Sequence, residues 1–470
     1  MRTNSTDSLT STLPIGPLQE GIWLFCRLNP TSPAYCMPEV FYFDGDFDTE
    51  AAEFALNEVI RRHEALRTTF HQTDSGGVQI IDHDPEPVPV DVIDLRGLSA
   101  VARKPLLQSA IDTAANLPFD ITAEPAIRLT VIRVSEIRTA LVLVAHHIAC
   151  DGMSMGVICE EFGEIYRSAR RGAPLDLKPL GPGYSAFVEE QLAELSDGRL
   201  NKEAAYWREQ LAGVTGSALP GGGGAAERAP GTLDTYMQSV TLDDGLAVAL
   251  LAFARRARST PFSILLCAMK VMLAVATGDG DQAVGTATSG RTPKFARTVG
   301  ALANMVVART RIEMTKSFTA MLEQVSLGLM DAIDHQDLPF SRVVAELQHA
   351  GLQPGTDVVR TVFSAGTTGS GLKLGEGKLS EALAHTAEGP FDLAVYCDFS
   401  PSGIALDWQY ALRTYSREVA HDYCAAYQEI LAKLLQQPDA AMDSLGLTET
   451  LARVVPSPRS DSSGPQHDAS

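Results

Sequence analysis

The segment from residue 126 to residue 172 constrains the fold of this 470-residue chain more than any other part of the sequence. It contains two runs rich in β-branched residues, AIRLTVIRV and TALVLVAHHIA, which are separated by SEIRT and predict two adjacent strands. The next run, MGVICEEFGEIYRSARRG, has the apolar spacing of a helix that ends at Gly172. A strand pair that leads into a helix indicates an α/β fold.

Helical and strand-like patterns alternate along the rest of the chain. DTEAAEFALNEVIRRHEALRTTF predicts an amphipathic helix with Asp48 and Thr49 as candidate N-caps. The Gly-rich stretch from Leu219 to Gly231 predicts a flexible loop. Later stretches predict helices around GLAVALLAFARRARS and from Ile264 to Ala276, a strand at MVVARTRIEM, and a last helix at HDYCAAYQEILAKLLQQ.

Length and charge limit the class of protein and its partners. A chain of 470 residues is too long for one ordinary core, so we expect two domains or one large two-lobed domain. The net charge of −20 argues against a nucleic-acid partner, which requires clustered Lys and Arg. The polar N-terminus has no secretory apolar segment, and the longest apolar stretch carries Lys270 and is too short to span a bilayer. We therefore expect a cytoplasmic protein without a membrane partner.

Cofactor motifs are absent from the sequence. The seven cysteines contain no CxxC pair, which disfavours a disulfide framework and a zinc site, so no metal is predicted. We find neither a P-loop nor a GxGxxG turn and predict no bound nucleotide.

The stretch HHIACDG, at the end of the second predicted strand, has two interpretations. His146 and His147 close a buried strand and Asp151-Gly152 forms a turn, or the group is a reaction site. An imidazole is a suitable base near neutral pH, and Gly152 allows the backbone to approach a reacting carbonyl closely. Because the loop lacks a GxSxG nucleophile, a catalytic histidine here would activate the substrate's own amine or hydroxyl.

HHIACDG resembles the HHxxxDG motif of the condensation domains of nonribosomal peptide synthetases, in the chloramphenicol-acetyltransferase-like superfamily. Other stretches that are similar to motifs of this family occur in the family's order: LPIGPLQEGIWLFCRLNPTSPAY, RRHEALRTTF, VGALANMVVART and HQDLPFSRVVAEL. The resemblance implies an α/β fold of two chloramphenicol-acetyltransferase-like lobes, arranged as a V-shaped pseudo-dimer with a central tunnel. Residues 1–180 would form the N-terminal lobe with the HHxxxDG loop, residues 181–454 the C-terminal lobe, and residues 455–470 a disordered tail.

The resemblance also assigns roles within the motif. His147 would be the catalytic histidine in the tunnel, deprotonating or orienting the acceptor, and His146 would be structural. Gly152 would place a backbone N–H near the tetrahedral oxyanion. Asp151 would pair with an arginine and hold the loop in shape, and the sequence does not choose between Arg62 and Arg291.

Outside the motif, three positions follow from the same resemblance. Asn304 would line the acceptor side or form a turn. His335 would anchor a helix. Met153 stands where the family commonly has a bulky aromatic residue, so we expect the adjoining wall of the tunnel to differ.

The implied activity is acyl transfer in natural-product biosynthesis. A free-standing condensation enzyme would take an acyl or aminoacyl thioester from the phosphopantetheine of a separate peptidyl carrier protein, and would bind no cofactor itself. The small-molecule acceptor would be an alcohol or an amine, giving an ester or an amide, with the alcohol slightly favoured. The alternatives are an acyl-CoA-dependent acyltransferase of the same superfamily and a non-catalytic, partner-recruiting homologue. Gly152 counts against an epimerisation domain, which typically lacks this glycine.

Overall fold

A computed structural model describes residues 9–454, except residues 75, 222–231, 354, 367–369, 383, 385 and 401–402. The predicted tail and most of the predicted Gly-rich loop lie outside the described residues. In chain order the strands are β1 (Thr10–Pro14), β2 (Cys36–Asp44), β3 (Thr68–Thr73), β4 (Gly76–Asp82), β5 (Asp91–Asp94), β6 (Ile127–Arg133), β7 (Arg138–His146), β8 (Thr235–Thr241), β9 (Asp281–Thr288), β10 (Asn304–Arg311), β11 (Thr361–Ala365), β12 (Lys378–Ala382), β13 (Leu393–Ser400) and β14 (Gly403–Ala411). The helices are α1 (Glu20–Leu28), α2 (Thr49–Arg62), α3 (Ala100–Asn116), α4 (Gly152–Arg171), α5 (Tyr184–Ser196), α6 (Asn201–Gln210), α7 (Asp244–Ala257), α8 (Pro261–Thr277), α9 (Phe318–Asp334), α10 (Phe340–His349), α11 (Arg417–Gln436) and α12 (Leu447–Leu451).

The predicted strand pair and the helix after it are confirmed. β6 and β7 are antiparallel neighbours in a five-stranded sheet of order β12-β2-β7-β6-β5. β2 is antiparallel to β7 and places Cys36 opposite His146. α4 begins after Asp151, whose carboxylate accepts a hydrogen bond from the Ser154 N–H, and ends at Gly172 in the left-handed conformation.

The five-stranded sheet has an apolar face on each side because apolar residues fill both alternating sets of β2 and β7 positions. One set, including Phe41, Leu141 and Leu143, packs with α2 and α4. The other set includes Val40 and Val142 and packs with α3. The N-cap of α2 is Asp48, as predicted, and its carboxylate accepts from the Ala51 N–H. α2 and α4 therefore pack against each other on one face of the sheet.

A second, six-stranded sheet has the order β10-β9-β11-β13-β14-β8 and packs against α7, α8, α9 and α11. The predicted helices and the predicted strand in this region are confirmed, but α11 is not the last helix, since the short α12 follows it. α8 is buried from Ser263 to Ala274, and its Lys270 ammonium donates to the Ala308 carbonyl and the Thr310 hydroxyl. Burial lowers the pKa of Lys270 to about 7. Within the described ranges no single helix meets the length and apolarity of a membrane span, although α7 and α8, bent by 105°, meet them as a pair.

The chain passes from the six-stranded sheet to the five-stranded sheet at β12 and then returns. β12 pairs antiparallel with β2, with Glu381 opposite Phe41, although β11 and β13 on either side of it in sequence belong to the six-stranded sheet. The segment 181–454 therefore contributes a strand to the sheet formed by the first 180 residues. A third sheet, of order β1-β4-β3, has three strands.

Candidate active site

The HHIACDG stretch forms the connection between β7 and α4, as predicted from the sequence. His146 is the last residue of β7 and Gly152 is the first residue of α4. Two contacts hold the loop: the His147 N–H donates to the Tyr35 carbonyl at 2.9 Å, and the Gln19 side-chain amide donates to the Ile148 carbonyl at 2.7 Å. The N-terminal segment thus fixes the loop from outside.

His146 is buried and bonded to the protein through both ring nitrogens. Its Nδ1 accepts from the Ile148 N–H at 3.1 Å, so the proton of the neutral ring is on Nε2, which lies 3.6 Å from the Cys26 Sγ. Burial, and then the charges of His147 and Arg128, lower the pKa of His146 to about 3. His146 is therefore a neutral structural residue at neutral pH. It does not act as a base toward Cys26, since Nε2 already carries the proton, and burial raises the pKa of that thiol to about 12.

The His147 ring is partly exposed and meets the Tyr35 ring edge-on, with centroids 6.2 Å apart. Its Nδ1 is enclosed by protein and has no hydrogen-bond partner among the described residues. Its Nε2 also has no partner in this part of the chain, but it is not enclosed and remains accessible to a ligand. A substrate that reaches the loop therefore finds a free ring nitrogen on His147.

Asp151 is buried and fully bonded. Arg291 donates to both of its carboxylate oxygens, at 2.6 and 2.9 Å. The N–H groups of Leu302 and Ala303 donate to Oδ2, and that of Ser154 donates to Oδ1. The Arg291 side chain is also buried, so the pair is a desolvated, bidentate ion pair. It joins the motif loop to the segment that precedes β10.

Arg62, the other arginine considered from the sequence, bonds elsewhere. Its Nε donates to Glu161 of α4 at 2.9 Å, and the His63 ring lies 2.9 Å from the same carboxylate. Burial opposes ionisation of Glu161, but the hydrogen bonds from His63 and Arg62 outweigh it and lower its pKa to about 2. The structure thus decides between the two arginines: Arg62 is the last residue of α2, which packs on α4 and brings its side chain to Glu161 and not to Asp151.

Gly152 and Ser154 form the first turn of α4. The Gly152 N–H has no intrahelical acceptor, because the first N–H groups of any helix lack one. The Ser154 hydroxyl donates to the Gly300 carbonyl and accepts from the Gly300 N–H, and it also accepts from Arg291 at 2.8 Å. A Cβ on Gly300 would lie 2.0 Å from the Tyr184 ring, so only glycine fits there. The helix start is therefore fixed, and the Gly152 N–H at its tip has no acceptor among the described residues.

The Asn304 side chain has no free hydrogen-bonding capacity. Its amide nitrogen donates to the carbonyls of Gln336 and Leu338, and its oxygen accepts from the N–H groups of Met305 and Phe340. The residue is 6% exposed. These bonds join β10 to the start of α10 and argue against a contact between the Asn304 amide and an acceptor.

His335 caps the end of α9. Its Nδ1 bonds to the Asp331 carbonyl at 2.8 Å, and its ring stacks on Tyr206 with centroids 3.7 Å apart. Its own carbonyl accepts from the Trp207 indole N–H. These contacts are those of a helix anchor, as the resemblance implied.

Sequence reasoning missed Gln19, Cys26 and Ser154, which contact the motif loop. Gln19 and Cys26 lie in the N-terminal stretch that resembles a family motif. The resemblance marks this stretch, but it does not show that these two side chains contact the motif loop. Ser154 follows Gly152 by two residues, and a serine in the first helical turn carries no signal beyond capping. The described residues include no group of three or more His, Cys, Asp or Glu side chains able to hold a metal ion.

Comparisons with known proteins identify the family of this chain. The family model described as the condensation domain matches residues 10–453. Chondramide synthase cmdD of Chondromyces crocatus is 37% identical over 342 residues, which are 72% of this chain and 8% of that protein. Enniatin synthase of Fusarium equiseti is 30% identical over 438 residues, which are 92% of this chain and 14% of that protein. The chain therefore spans only a small part of the length of these curated relatives.

Solved structures share the fold. The SgcC5 protein of Streptomyces globisporus, in complex with (R)-(-)-1-(2-naphthyl)-1,2-ethanediol and sucrose, matches with a TM-score of 0.75 and 25% identity, over 91% of this chain and 100% of that one. The α/β fold of this chain is that of condensation-domain structures in the chloramphenicol-acetyltransferase-like superfamily.

Proposed function

The chain belongs to the condensation-domain family, and we propose that it is an acyltransferase that joins a carrier-bound acyl or aminoacyl thioester to an alcohol or amine. The observation that carries the proposal is that His147 Nε2 and the Gly152 N–H, five residues apart in one loop, have no partner among the described residues, while Asp151 and Arg291 hold the loop. Acyl transfer requires a group that handles the acceptor's proton and a donor for the oxyanion. The two residues supply these functions.

In the proposed reaction the acceptor oxygen or nitrogen attacks the thioester carbonyl. The carbonyl oxygen becomes an oxyanion, which the Gly152 N–H and the positive end of the α4 dipole stabilise. His147 orients the acceptor or takes its proton, and the proton leaves with the thiolate when the C–S bond breaks. The products are an ester or amide and the free thiol of the phosphopantetheine arm. His146, Asp151 and Arg291 take no part in proton transfer and hold the loop.

The donor we propose is a thioester on the phosphopantetheine of a separate peptidyl carrier protein, and the chain itself binds no cofactor. The curated relatives are much longer synthases, and this chain matches one part of each. The likeness to SgcC5, whose whole chain is covered, supports a free-standing role. We propose that the reactants meet in a tunnel between two lobes, residues 1–180 and 181–454, where water would be excluded from the thioester.

We favour an alcohol acceptor and an ester product. The ligand in the SgcC5 complex is a 1,2-ethanediol, which carries hydroxyl groups and no amine. Because a hydroxyl stays protonated over the working pH range, its attack would make use of the free ring nitrogen of His147. An amine must lose its own proton first and depends less on a base.

The test is an assay of the purified chain with carrier-bound donors and with one alcohol and its matched amine as acceptors, followed by mass spectrometry. With saturating donor, the alcohol should be turned over at least as fast as its matched amine. A far faster amine reaction at its best pH would overturn the ester.

The acyl-CoA-dependent alternative is tested in the same assay. A carrier-bound donor should react faster than the same acyl group on CoA, since protein contacts position the carrier. Equal rates would favour the CoA-dependent enzyme, and a lack of turnover with every donor would favour a partner-recruiting homologue.

A further inference from the structure

The backbone of the motif loop, and not a side-chain hydrogen bond, sets the position of His147. Neither ring nitrogen of His147 has a partner among the described residues, so the imidazole is oriented by its own backbone and by the Tyr35 ring beside it. Catalytic groups must be held within about 0.5 Å of the productive geometry. The bonds that fix residues 147–151 therefore affect the reaction even where they do not touch the substrate.

Gln19 fixes the carbonyl of the residue that follows His147. Its amide nitrogen donates to the Ile148 carbonyl at 2.7 Å, and its amide oxygen accepts from the Gly16 N–H at 2.9 Å. The residue is 1% exposed. The N–H groups of Gln19 and Glu20 both donate to the Gly16 carbonyl, so residues 16–20 form a turn. Because the Gln19 amide is buried and bonded through both its oxygen and its nitrogen, the loop takes its position at Ile148 from this turn.

The same turn is attached to α10. The Arg342 guanidinium donates to the Glu20 carboxylate at 2.5 Å, and the Ser341 hydroxyl donates to the Pro17 carbonyl at 3.2 Å. α1, which follows the turn, packs with the core on the α3 side of the five-stranded sheet. α10 packs with β9 and β10 of the six-stranded sheet. The two contacts therefore join elements that pack on different sheets.

α10 leads back to the other end of the motif loop. The Phe340 N–H, at the start of α10, donates to the Asn304 side-chain oxygen at 3.0 Å, and the Ala303 N–H donates to the Asp151 carboxylate at 3.0 Å. A closed circuit of bonds therefore runs from Ile148 through the turn, α10 and the start of β10 to Asp151.

The contact between Arg342 and Glu20 is the exposed link of this circuit, since the two side chains are 43% and 35% exposed. A pair of this kind can be altered with little effect on the fold. We propose that Gln19 and the Arg342–Glu20 pair are positioning residues, which hold His147 for the attack of the acceptor and make kcat depend on α10. The inference rests on the proposed function, since that function assigns the acceptor to His147. The positioning residues act through the loop backbone and not on the reactants.

The experiment measures kcat and the KM for the acceptor on the intact chain. The donor is the pantetheine thioester of 3-phenylpropanoic acid, and the acceptor is 1-phenyl-1,2-ethanediol. Gln19→Leu should lower kcat about 10- to 100-fold, the effect of a displacement of about 1 Å at the reacting groups. Arg342→Met should lower kcat about 2- to 5-fold, the range for an exposed ion pair, and Arg342→Lys, which keeps the charge, should lower it less. The KM for the acceptor should stay close to that of wild type. The matched control is Arg96→Met, which should leave kcat unchanged, because the Arg96 side chain is 35% exposed and pairs with Asp94 at 2.6 Å, away from the circuit.

A second comparison separates positioning from a loss of folded protein. In the His147→Ala background, Arg342→Met should not lower the residual turnover further, because the group that it positions is absent. A loss of folded protein would instead lower turnover by the same factor in both backgrounds. An equal loss in the two backgrounds, or an unchanged kcat of Arg342→Met in the wild-type background, would overturn the inference and leave the proposed acyl transfer intact.

Amide hydrogen exchange, followed by mass spectrometry, gives a readout without turnover. In Arg342→Met the amides of residues 147–150 should exchange about 2- to 5-fold faster than in wild type, while those of α8 stay unchanged. Unchanged exchange in the loop would overturn the inference. Faster exchange in the loop but not in α8, in a protein that turns over no donor, would support the link from α10 to the loop and overturn the proposed function.

Discussion

His147 and Asp151 are four residues apart in one loop, yet their surroundings are opposite. The two oxygens of Asp151 accept five hydrogen bonds, three from backbone N–H groups and two from Arg291. The His147 ring has no hydrogen-bond partner in the described part of the chain. A carboxylate that uses this many acceptor positions inside the protein holds the backbone in place and has little capacity left for a ligand. The imidazole beside it keeps its capacity for the substrate.

The same contrast extends to the two sides of α4. On one side, Ser154 bonds to Gly300 and Arg291 and locks the helix start. On the other side, a Cβ on Gly156 would meet no described residue within 4 Å, and Glu39 lacks a partner in the same part of the chain. Rigid support on one side and unsatisfied groups on the other is the arrangement of a preorganised binding site.

The largest expected effect is on turnover and concerns His147, whose ring has no hydrogen-bond partner among the described residues. His147→Ala should lower turnover by about 10²- to 10⁴-fold, the range for loss of a general acid–base group, because Nε2 is the free ring nitrogen of the loop. Its melting temperature should stay close to that of wild type, since the ring makes no hydrogen bond to the described residues. Steady-state kinetics and thermal unfolding check both statements, and near wild-type turnover by a folded variant would remove His147 from the mechanism.

The second largest effect is on stability and concerns Asp151, whose carboxylate is hydrogen-bonded within the protein. Asp151→Ala should lower the free energy of unfolding by about 3–5 kcal/mol, because it leaves the buried Arg291 charge without its counter-ion. Urea unfolding measures the loss. The double variant Asp151→Ala, Arg291→Met should be more stable than Asp151→Ala alone, since the uncompensated charge is gone. A single variant as stable as wild type would show that the ion pair does not support the loop.

Asn304 tests whether a side chain whose hydrogen bonds are all made within the protein also contacts the substrate. Asn304→Ala should destabilise the chain by about 1–3 kcal/mol, because its loss leaves buried groups at the start of α10 without partners. The KM for the acceptor should change little in the protein that remains folded. A large rise in this KM at unchanged stability would instead return Asn304 to the acceptor side.

The smallest effect compares two glycines on one face of α4. Gly156→Ala should raise the free energy of unfolding by about 0.5–1 kcal/mol, since alanine favours the helix and its methyl group would meet no neighbouring element of the described chain within 4 Å. Gly163→Ala should lower it, because its Cβ would lie 2.6 Å from the Lys373 carbonyl oxygen. Equal changes in melting temperature for the two variants would show that α4 is covered equally at both positions.

Local patterns were sufficient to predict the elements that carry the site. Strand alternation and helical spacing predicted β6, β7, α2 and α4, and capping chemistry predicted the start of α2 at Asp48 and the end of α4 at Gly172. The position of the HHIACDG loop followed from these elements.

Contacts between distant residues could not be predicted in this way. Arg291 is 140 positions from Asp151, and nothing local distinguishes it from Arg62, so only the packing of α2 along α4 decides between them. The resemblance implied that Asn304 lines the acceptor side or forms a turn, and the sequence could not show that residues 336–340 use all of its hydrogen-bonding groups. The sequence does not predict that the Glu39 carboxyl group lacks a partner among the described residues. The burial of a strand residue depends on which other elements pack over the strand.

The pairing of β12 with β2 has a consequence for how the chain reaches its native state. When a ribosome has released the first 180 residues, one edge of β2 still lacks the partner that residues 378–382 supply. An exposed strand edge is a template for association with other chains until it is paired. We expect the first sheet to finish folding late, after most of the chain has been synthesised, and a fragment that ends near residue 180 to aggregate where the full chain folds.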